Sequence, residues 1–271
     1  MADETADLRK YTHGPLRWPG AKNKSFHNIL IHLPLRQVFV DVFGGSGAIL
    51  INRPNSKLDV YNDIHRGLVS FYRCLQDVEK CRALCDLIEF SIYSRYEFDR
   101  LKVVRETTDD IVLRAFAWFY TVQYSFSGLS DSYGRITSGS GSVKGIRNQI
   151  PMLWHIHRRL EKVQIEELDF RRLIDDYDSA NTVFYCDPPY IDKDVYNNEQ
   201  PFTRDDHLDL INLAQTCEGY FAISGYPNPI YNDFKWDHIY TWEQTTHMTK
   251  TLNVGERKSS ATEVLWIKDN L

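Results

Sequence analysis

Long hydrophobic runs are missing from this chain. No stretch of about 18 uninterrupted apolar residues occurs, so a membrane span is not expected. Cysteine is scarce and unpatterned. Cys74, Cys81, Cys85, Cys186 and Cys217 are an odd number at scattered spacings, and no second ligand pair follows Cys81 and Cys85. That argues against a structural metal and for buried free thiols in a reducing cytoplasm. An excess of positive charge is also absent: 32 Lys and Arg against 37 Asp and Glu leave a net charge of −5. Phosphate contacts need Lys and Arg, so any nucleic-acid binding has to rest on a local basic face. The opening Met1-Ala2-Asp3-Glu4 is acidic and polar, and is not expected to act as a signal peptide.

What is there suits a globular protein. The 271 residues are 42% hydrophobic and 25% charged, enough for one large α/β domain or a core domain with an insertion. Gln37 to Val42 is a short apolar run rich in β-branched and aromatic residues, hence a buried strand. Leu58 to Asn62, Val163 to Leu168, Thr182 to Cys186, Tyr220 to Ser224, Lys235 to Trp242 and Glu263 to Lys268 read as further strands. From about His65 to Ala115 the pattern is helical, with Leu68, Phe71, Tyr72 and Leu75 on one face. Ile111 to Tyr124, Pro151 to Leu160 and Arg204 to Gln215 also read as helices. Ser125 to Asn148 is rich in Gly and Ser and reads as a long, mobile and functional loop. Strands alternating with helices on both sides of a helical insertion predict a doubly wound sheet carrying a second subdomain.

Three segments carry candidate chemistry. Asp187-Pro188-Pro189-Tyr190 follows a buried strand, where ligands bind in open α/β sheets. Two prolines fix the backbone and remove two N–H donors, so their carbonyls and the Asp187 carboxylate form a set of acceptors only. Such a set suits an amino group, which donates two hydrogens, and Tyr190 can stack on a base. Taken alone, the tetrapeptide could equally be a rigid turn. Asp41-Val42-Phe43-Gly44-Gly45-Ser46-Gly47 follows the first strand, and its glycines allow close backbone approach to a ligand. It lacks the Gly-Lys-Ser/Thr of a phosphate loop, and Leu50 stands where a dinucleotide fingerprint has its third glycine. Asp63, at the end of the next strand, suits ribose hydroxyls or a helix N-cap.

Together these segments resemble the Dam-like family of adenine-specific DNA methyltransferases, in the group whose cofactor motif precedes the catalytic one. The resemblance covers nearly the whole chain. Arg17-Trp18-Pro19-Gly20-Ala21-Lys22 is similar to the family's N-terminal Trp/Lys cofactor segment, with Ala21 where a glycine is usual. Asp41 to Gly47 is similar to its glycine motif, Asn62-Asp63 to its acidic motif, and Asp169-Phe170 to the pair before the catalytic strand. Asp187 to Tyr190 matches the catalytic tetrapeptide without departure. Gly225-Tyr226 and Glu263-Val264-Leu265-Trp266 also look familial.

The resemblance implies a class I methyltransferase fold: α/β, a Rossmann-like doubly wound mixed sheet with an inserted helical DNA-recognition subdomain. Residues 1–66 and 163–271 would form the catalytic domain and 67–162 the insertion. It implies S-adenosylmethionine as cofactor. Trp18, Lys22, Asp63 and Asp187 would touch it or shape its site, Asp41, Phe43, Gly45 and Gly47 would wrap its methionine part, and Asp169 and Phe170 would contact its adenine. Asp187, Pro188, Pro189 and Tyr190 would act on the amino group (N6) of an adenine flipped out of double-stranded DNA.

DNA contacts are expected from Arg135, Lys144, Arg147, Arg158 and Arg159, with His155, His157 and Lys162 nearby and a second basic cluster at Arg9, Lys10, Arg17 and Lys24. The recognition segment of the best-known Dam branch is absent from Ser125 to Asn148, which is more like phage-type members. No membrane, metal or obligate protein partner is expected. Cytosine N4 methylation shares the chemistry, but motif order favours adenine. A cofactor-binding protein that grips DNA without modifying it would be free to lose the intact tetrapeptide. A nicotinamide oxidoreductase would bind NAD.

Overall fold

Seven strands build one sheet: β1 (Val38–Asp41), β2 (Leu58–Asn62), β3 (Val163–Glu166), β4 (Thr182–Cys186), β5 (Tyr220–Gly225), β6 (His238–Thr245) and β7 (Ser260–Lys268). They lie in the order β3-β2-β1-β4-β5-β7-β6. The computed structural model describes residues 16, 20–23, 25–125, 132–134, 145–190, 202–245 and 260–270. β1 pairs in parallel with both β2 and β4, β2 with β3, and β4 with β5, while β7 runs antiparallel between β5 and β6. This is a doubly wound mixed sheet, as the alternation of strands and helices predicts, and it has the form that the resemblance to class I methyltransferases implies. The chain leaves β1 toward β2 and β3 on one side and resumes at β4 on the other. The switch point therefore lies between β1 and β4, where open α/β sheets bind ligands.

Side-chain alternation along the strands divides the core in two. Phe39, Tyr61, Val183, Tyr185, Ala222, Leu265 and Ile267 face one apolar cluster. Val40, Val60, Phe184, Cys186, Phe221, Ile223 and Trp266 face the other.

The first cluster is completed by α1 (Phe26–Leu30), α2 (Ala48–Asn52), α3 (Arg66–Gln76), α4 (Val78–Glu89), α5 (Arg95–Thr107), α6 (Ile111–Tyr124) and α7 (Ile150–Leu160). A short 3-10 helix, Ile146–Gln149, precedes α7. The second cluster is completed by α8 (Phe170–Tyr177), α9 (Arg204–Thr216) and α10 (Pro229–Asn232). The helices between β2 and β3 thus share one core with a sheet face, and α6 is buried at every position from Arg114 to Tyr124.

The helical stretch expected from His65 to Ala115 is broken at caps. Asp77, Ser94 and Asp110 leave helical geometry and accept the first amides of α4, α5 and α6, the usual role of short polar side chains at N-caps. Only parts of the Ser125 to Asn148 loop are described. There Ser125 bridges Tyr133, and the Gly134 amide donates to the Tyr124 carbonyl at 2.8 Å. Among the described residues no helix is long and apolar enough to cross a membrane, and all five cysteines are buried thiols.

Candidate active site

Strand register sets the site. Asp41 at the end of β1 lies opposite Tyr185 of β4, and the Val42 amide donates to the Tyr185 carbonyl at 2.9 Å. The glycine turn and Asp187 consequently leave neighbouring parallel strands side by side. β5 and β7 bring Ser224 and Glu263 to the same edge, since Gly225 of β5 faces Val264 of β7.

The glycine turn is fixed by its neighbours. Gly45 and Gly47 sit at φ of 49° and 65°, left-handed conformations that L side chains resist. The Tyr61 hydroxyl donates to the Gly45 carbonyl at 2.8 Å, and the Tyr72 hydroxyl to the Ser46 carbonyl at 2.5 Å. Asp63 accepts the Gly45 amide at 2.9 Å and the His65 amide at 2.8 Å. The N-cap of α3 is not Asp63 but His65, whose Nδ1 accepts the Gly67 and Leu68 amides. Asn62 ties the end of β2 to the Val42 and Leu168 carbonyls.

Asp187 is held by one of its two oxygens. Its Oδ1 takes the Lys22 ammonium at 2.7 Å, the Ser224 hydroxyl at 3.0 Å and, more distantly, the Tyr190 hydroxyl at 3.5 Å. Among the described residues nothing bonds to Oδ2, and the side chain is 19% exposed. Lys22 also reaches Glu263 Oε1 at 2.9 Å and donates to the Tyr190 hydroxyl at 2.5 Å. Behind Ser224 stands Tyr185, hydroxyl to hydroxyl at 2.8 Å. The Tyr190 ring lies 4.5 Å from that of Tyr226.

The ionic balance of the edge is acidic. Burial opposes the Lys22 charge, but Asp187, the Tyr190 phenol and Glu263 outweigh it and hold the ammonium well above its ordinary range. Burial raises Glu263, with Lys22 pulling it back and Asp187 adding to the rise. Asp41 is buried, and among the described residues its Oδ1 has no partner. Burial and the neighbouring Asp187 push its carboxyl well above the carboxylate range. Asp63 is raised by burial against the pull of its amide donors.

An aromatic wall lies beside the turn: Phe43 is 5.7 Å from Phe170 and 5.4 Å from Phe202, ring to ring. Phe202 meets His207 edge-on at 4.6 Å, and His207 Nδ1 pairs with the Tyr231 hydroxyl at 2.7 Å. Burial pushes His207 down to about 4, so its ring is neutral near pH 7.

The structure thus gathers Lys22, Asp41, Phe43, Gly45, Gly47, Asp63, Phe170, Asp187, Pro188, Pro189 and Tyr190 at one edge. Asp169 is different: it is exposed, caps α8 by accepting the Arg171 amide, and pairs with the Arg171 guanidinium. Trp18, Arg135 and Lys144 lie outside the described residues, as do Arg9, Lys10, Arg17 and Lys24.

Arg147 and Arg158 are exposed on the helical side. The surface role expected of Arg159 is corrected. Its guanidinium turns inward to Asp59 at 2.8 Å and to the Leu50 carbonyl at 2.7 Å, because it flanks the buried Ile156–Leu160 face of α7.

Sequence reasoning gave no role to Glu263, Ser224, Tyr185 or His207. One signal was available for Glu263: an acid heading the apolar run Val264-Leu265-Trp266-Ile267 of a central strand.

Comparison with known proteins agrees with this geometry. A DNA adenine methylase of Salmonella typhimurium is 27% identical over 181 residues, covering 65% of this chain and 64% of that protein. One of Escherichia coli (strain K12) is 25% identical over 186 residues, again 65% and 64%. One of Vibrio cholerae is 24% identical over 213 residues, 74% and 75%. The chain therefore spans a little under two thirds of the length of the Salmonella and Escherichia proteins. Residues 18–256 match the profile of the D12 class N6 adenine-specific DNA methyltransferases, and the chain belongs to that family.

Proposed function

We propose that this chain transfers a methyl group from S-adenosylmethionine to the exocyclic N6 amino group of adenine in double-stranded DNA. The observation that carries the reading is the juxtaposition of the glycine turn after β1 with the acceptor-only turn at Asp187, on adjacent parallel strands.

The residues fit the cofactor. It brings a sulfonium and an ammonium, and among the described residues the edge offers four acidic side chains, Asp41, Asp63, Asp187 and Glu263, against one ammonium, that of Lys22. Among the described residues Oδ1 of Asp41 has no donor, and a buried acceptor of this kind suits a cationic ligand, since buried polar atoms are otherwise satisfied. Asp41, Gly45 and Gly47 would hold the methionine part and Asp63 the ribose. Phe43 and Phe170 would wall the adenine, with Trp18, Lys22 and Asp169 at the margins. When bound, the cofactor supplies an electrophilic methyl.

The chain supplies position and charge. An adenine amino nitrogen is a poor nucleophile because its lone pair is delocalised into the ring. Asp187 Oδ2 and the Pro188 carbonyl would accept its two hydrogens and leave the lone pair facing the methyl. Asp187 cannot swing away, because Oδ1 is already anchored by Lys22 and Ser224. The nitrogen would turn cationic as it is methylated, and Asp187 Oδ2 and the Pro188 carbonyl would stabilise that charge before one hydrogen leaves as a proton to Asp187. Preorganised acceptors of this kind need no covalent intermediate.

The base must leave the duplex to reach this edge, and Tyr190 stacking on it would recover about 1–3 kcal/mol. The helical segment 67–162 would serve as the target-recognition unit on the 1–66 and 163–271 catalytic domain, with Arg147 and Arg158 meeting phosphates. Buried thiols throughout fit a reducing cytoplasm.

Incubation of the purified chain with S-adenosylmethionine and duplex DNA, followed by mass spectrometry of the nucleosides, tests this. N6-methyladenine is expected. N4-methylcytosine, or no methylated base from a folded protein, would refute it.

A further inference from the structure

We infer that Glu263 is a positioning residue for the reaction: it fixes the Lys22 ammonium against Asp187 Oδ1 and so keeps Oδ2 turned toward the base. The inference rests on the methyl-transfer reading, but its geometry stands by itself. Glu263 comes from β7, Lys22 from the segment before α1 and Asp187 from the end of β4, so nothing local in the sequence joins them. Lys22 and Glu263 are 4% and 2% exposed. A buried ion pair of that kind is held by geometry or not at all, because desolvation offsets most of the attraction.

Two further features point the same way. Lys22 spends its three hydrogens on Asp187, Glu263 and the Tyr190 hydroxyl, at 2.7, 2.9 and 2.5 Å. An ammonium has no fourth donor, so it has nothing left for a ligand in this arrangement, and it orients the two catalytic-turn side chains instead. Glu263 also sets the charge of the cluster around Lys22: Lys22 and Asp187 alone would cancel, whereas Glu263 adds a second acid to the one ammonium. A nitrogen that turns cationic during transfer gains from that second acid in a site shielded from water.

Among the described residues the titratable groups facing Lys22 are Asp187 and Tyr190 from the catalytic turn after β4, Glu263 from β7, Tyr185 from β4 and Tyr226 just after β5. The charge of Glu263 raises Lys22, so its removal lowers the pH at which the ammonium is lost.

Glu263→Gln keeps the length of the side chain and removes its charge. In steady-state assays of N6-methyladenine formation, kcat should fall at least about 10-fold, less than for loss of a direct acceptor. KM for DNA and the cofactor dissociation constant should move less than about 3-fold, as expected where an interaction matters in the transition state. The alkaline limb of the kcat–pH profile should move to lower pH. The same displacement should appear in the ligand-free protein, as a loss of thermal stability that begins at lower pH than in wild type.

Lys22→Gln and the double variant complete a cycle. If Glu263 acts through Lys22, Glu263→Gln has little further effect once Lys22 is gone. The double variant also removes the buried ammonium, so the comparison with Lys22→Gln still reads out Glu263 if Glu263→Gln alone fails to fold. Unchanged kcat with an unmoved alkaline limb, or fully additive effects in the cycle, overturns the assignment. A wild-type protein that methylates no adenine refutes the activity instead, and the alkaline titration of the ligand-free protein then still decides whether Glu263 holds Lys22.

Discussion

Among the described residues two buried ion clusters stand out, and they are built with opposite surpluses. At the back of β2, Asp59 is shared by two arginines: Arg53 at 3.0 Å on Oδ1 and Arg159 at 2.8 Å on Oδ2. Ser56 adds its amide to Oδ1 at 3.2 Å, so both oxygens are taken. The arginines are in excess, and among the described residues Arg53 Nη2 and Arg159 Nε have no partner. Arg53 also lies over the Phe39 ring at 3.8 Å. At the ligand edge the proportions reverse: among the described residues one lysine serves two acidic side chains, Asp187 Oδ2 stays open, and Asp41 Oδ1 is buried without a donor.

The first cluster fastens α2, β2 and α7 together and has no acceptor to offer. The second has acceptors to spare at the switch point of the sheet. Burial of charge alone does not mark a site; what marks it is unspent valence of the sign that a ligand would complete. For a sulfonium, an ammonium and a base amino group, that sign is negative.

Breaking the structural cluster should give the largest effect. Asp59→Ala strands two buried guanidiniums, and truncation of a buried ion pair costs about 3–5 kcal/mol. Urea or thermal melts should register that loss in full, while the cofactor affinity of the fraction that remains folded stays near wild type. A melt within about 1 kcal/mol of wild type would show that the cluster is not holding the helices.

The mirror experiment, Asp187→Ala, should leave the melt nearly intact, since Lys22 keeps Glu263 and Tyr190, and lower kcat by about 10²–10³ or more. Normal methylation by a folded Asp187→Ala protein would remove Asp187 from the reaction.

Smaller effects sharpen the contrast. Gly47→Ala places a side chain in a left-handed backbone, with its Cβ 2.8 Å from the Tyr72 hydroxyl. A cost of about 1–2 kcal/mol is expected, together with weakened cofactor binding by calorimetry. Unchanged affinity would mean that the turn is not the cradle.

The smallest effect concerns protons. Asp41 is raised in the folded protein, so its ionisation costs stability as pH climbs above the ordinary carboxylate range toward the folded value. A bound cation favours the ionised form. Cofactor binding should therefore tighten with rising pH over that window, by at most about tenfold per unit, and release a proton. Calorimetry in buffers of different ionisation enthalpy would detect the proton, and Asp41→Asn should abolish its release.

Much of this was legible in the chain. The strand at Leu58–Asn62, the strand at Thr182–Cys186 and the helix at Ile111–Tyr124 coincide with the runs read from periodicity, because buried strands and helices declare themselves through local apolar pattern. The Arg158-Arg159 pair shows the limit. Neighbours on a helix point about 100° apart, so one faces solvent and the other Asp59, and only packing against β2 tells them apart. His207 and Ser224 were passed over for the same reason: a histidine within Asp206-His207-Leu208 and a serine before Gly225 carry no local sign of what they will face.

By itself the sequence determined the pieces: a flexible glycine turn after one strand, an acceptor-only turn after another, and the family to which both belong. These are properties of a few consecutive residues, set by backbone freedom and by donors that proline removes. The tertiary structure alone decided which charges meet. Lys22 and Tyr190 stand 168 residues apart and touch, because the strand order places the ends of β1, β4, β5 and β7 along one edge. Coulombic pairing depends on distance in space, and distance along the chain does not encode it.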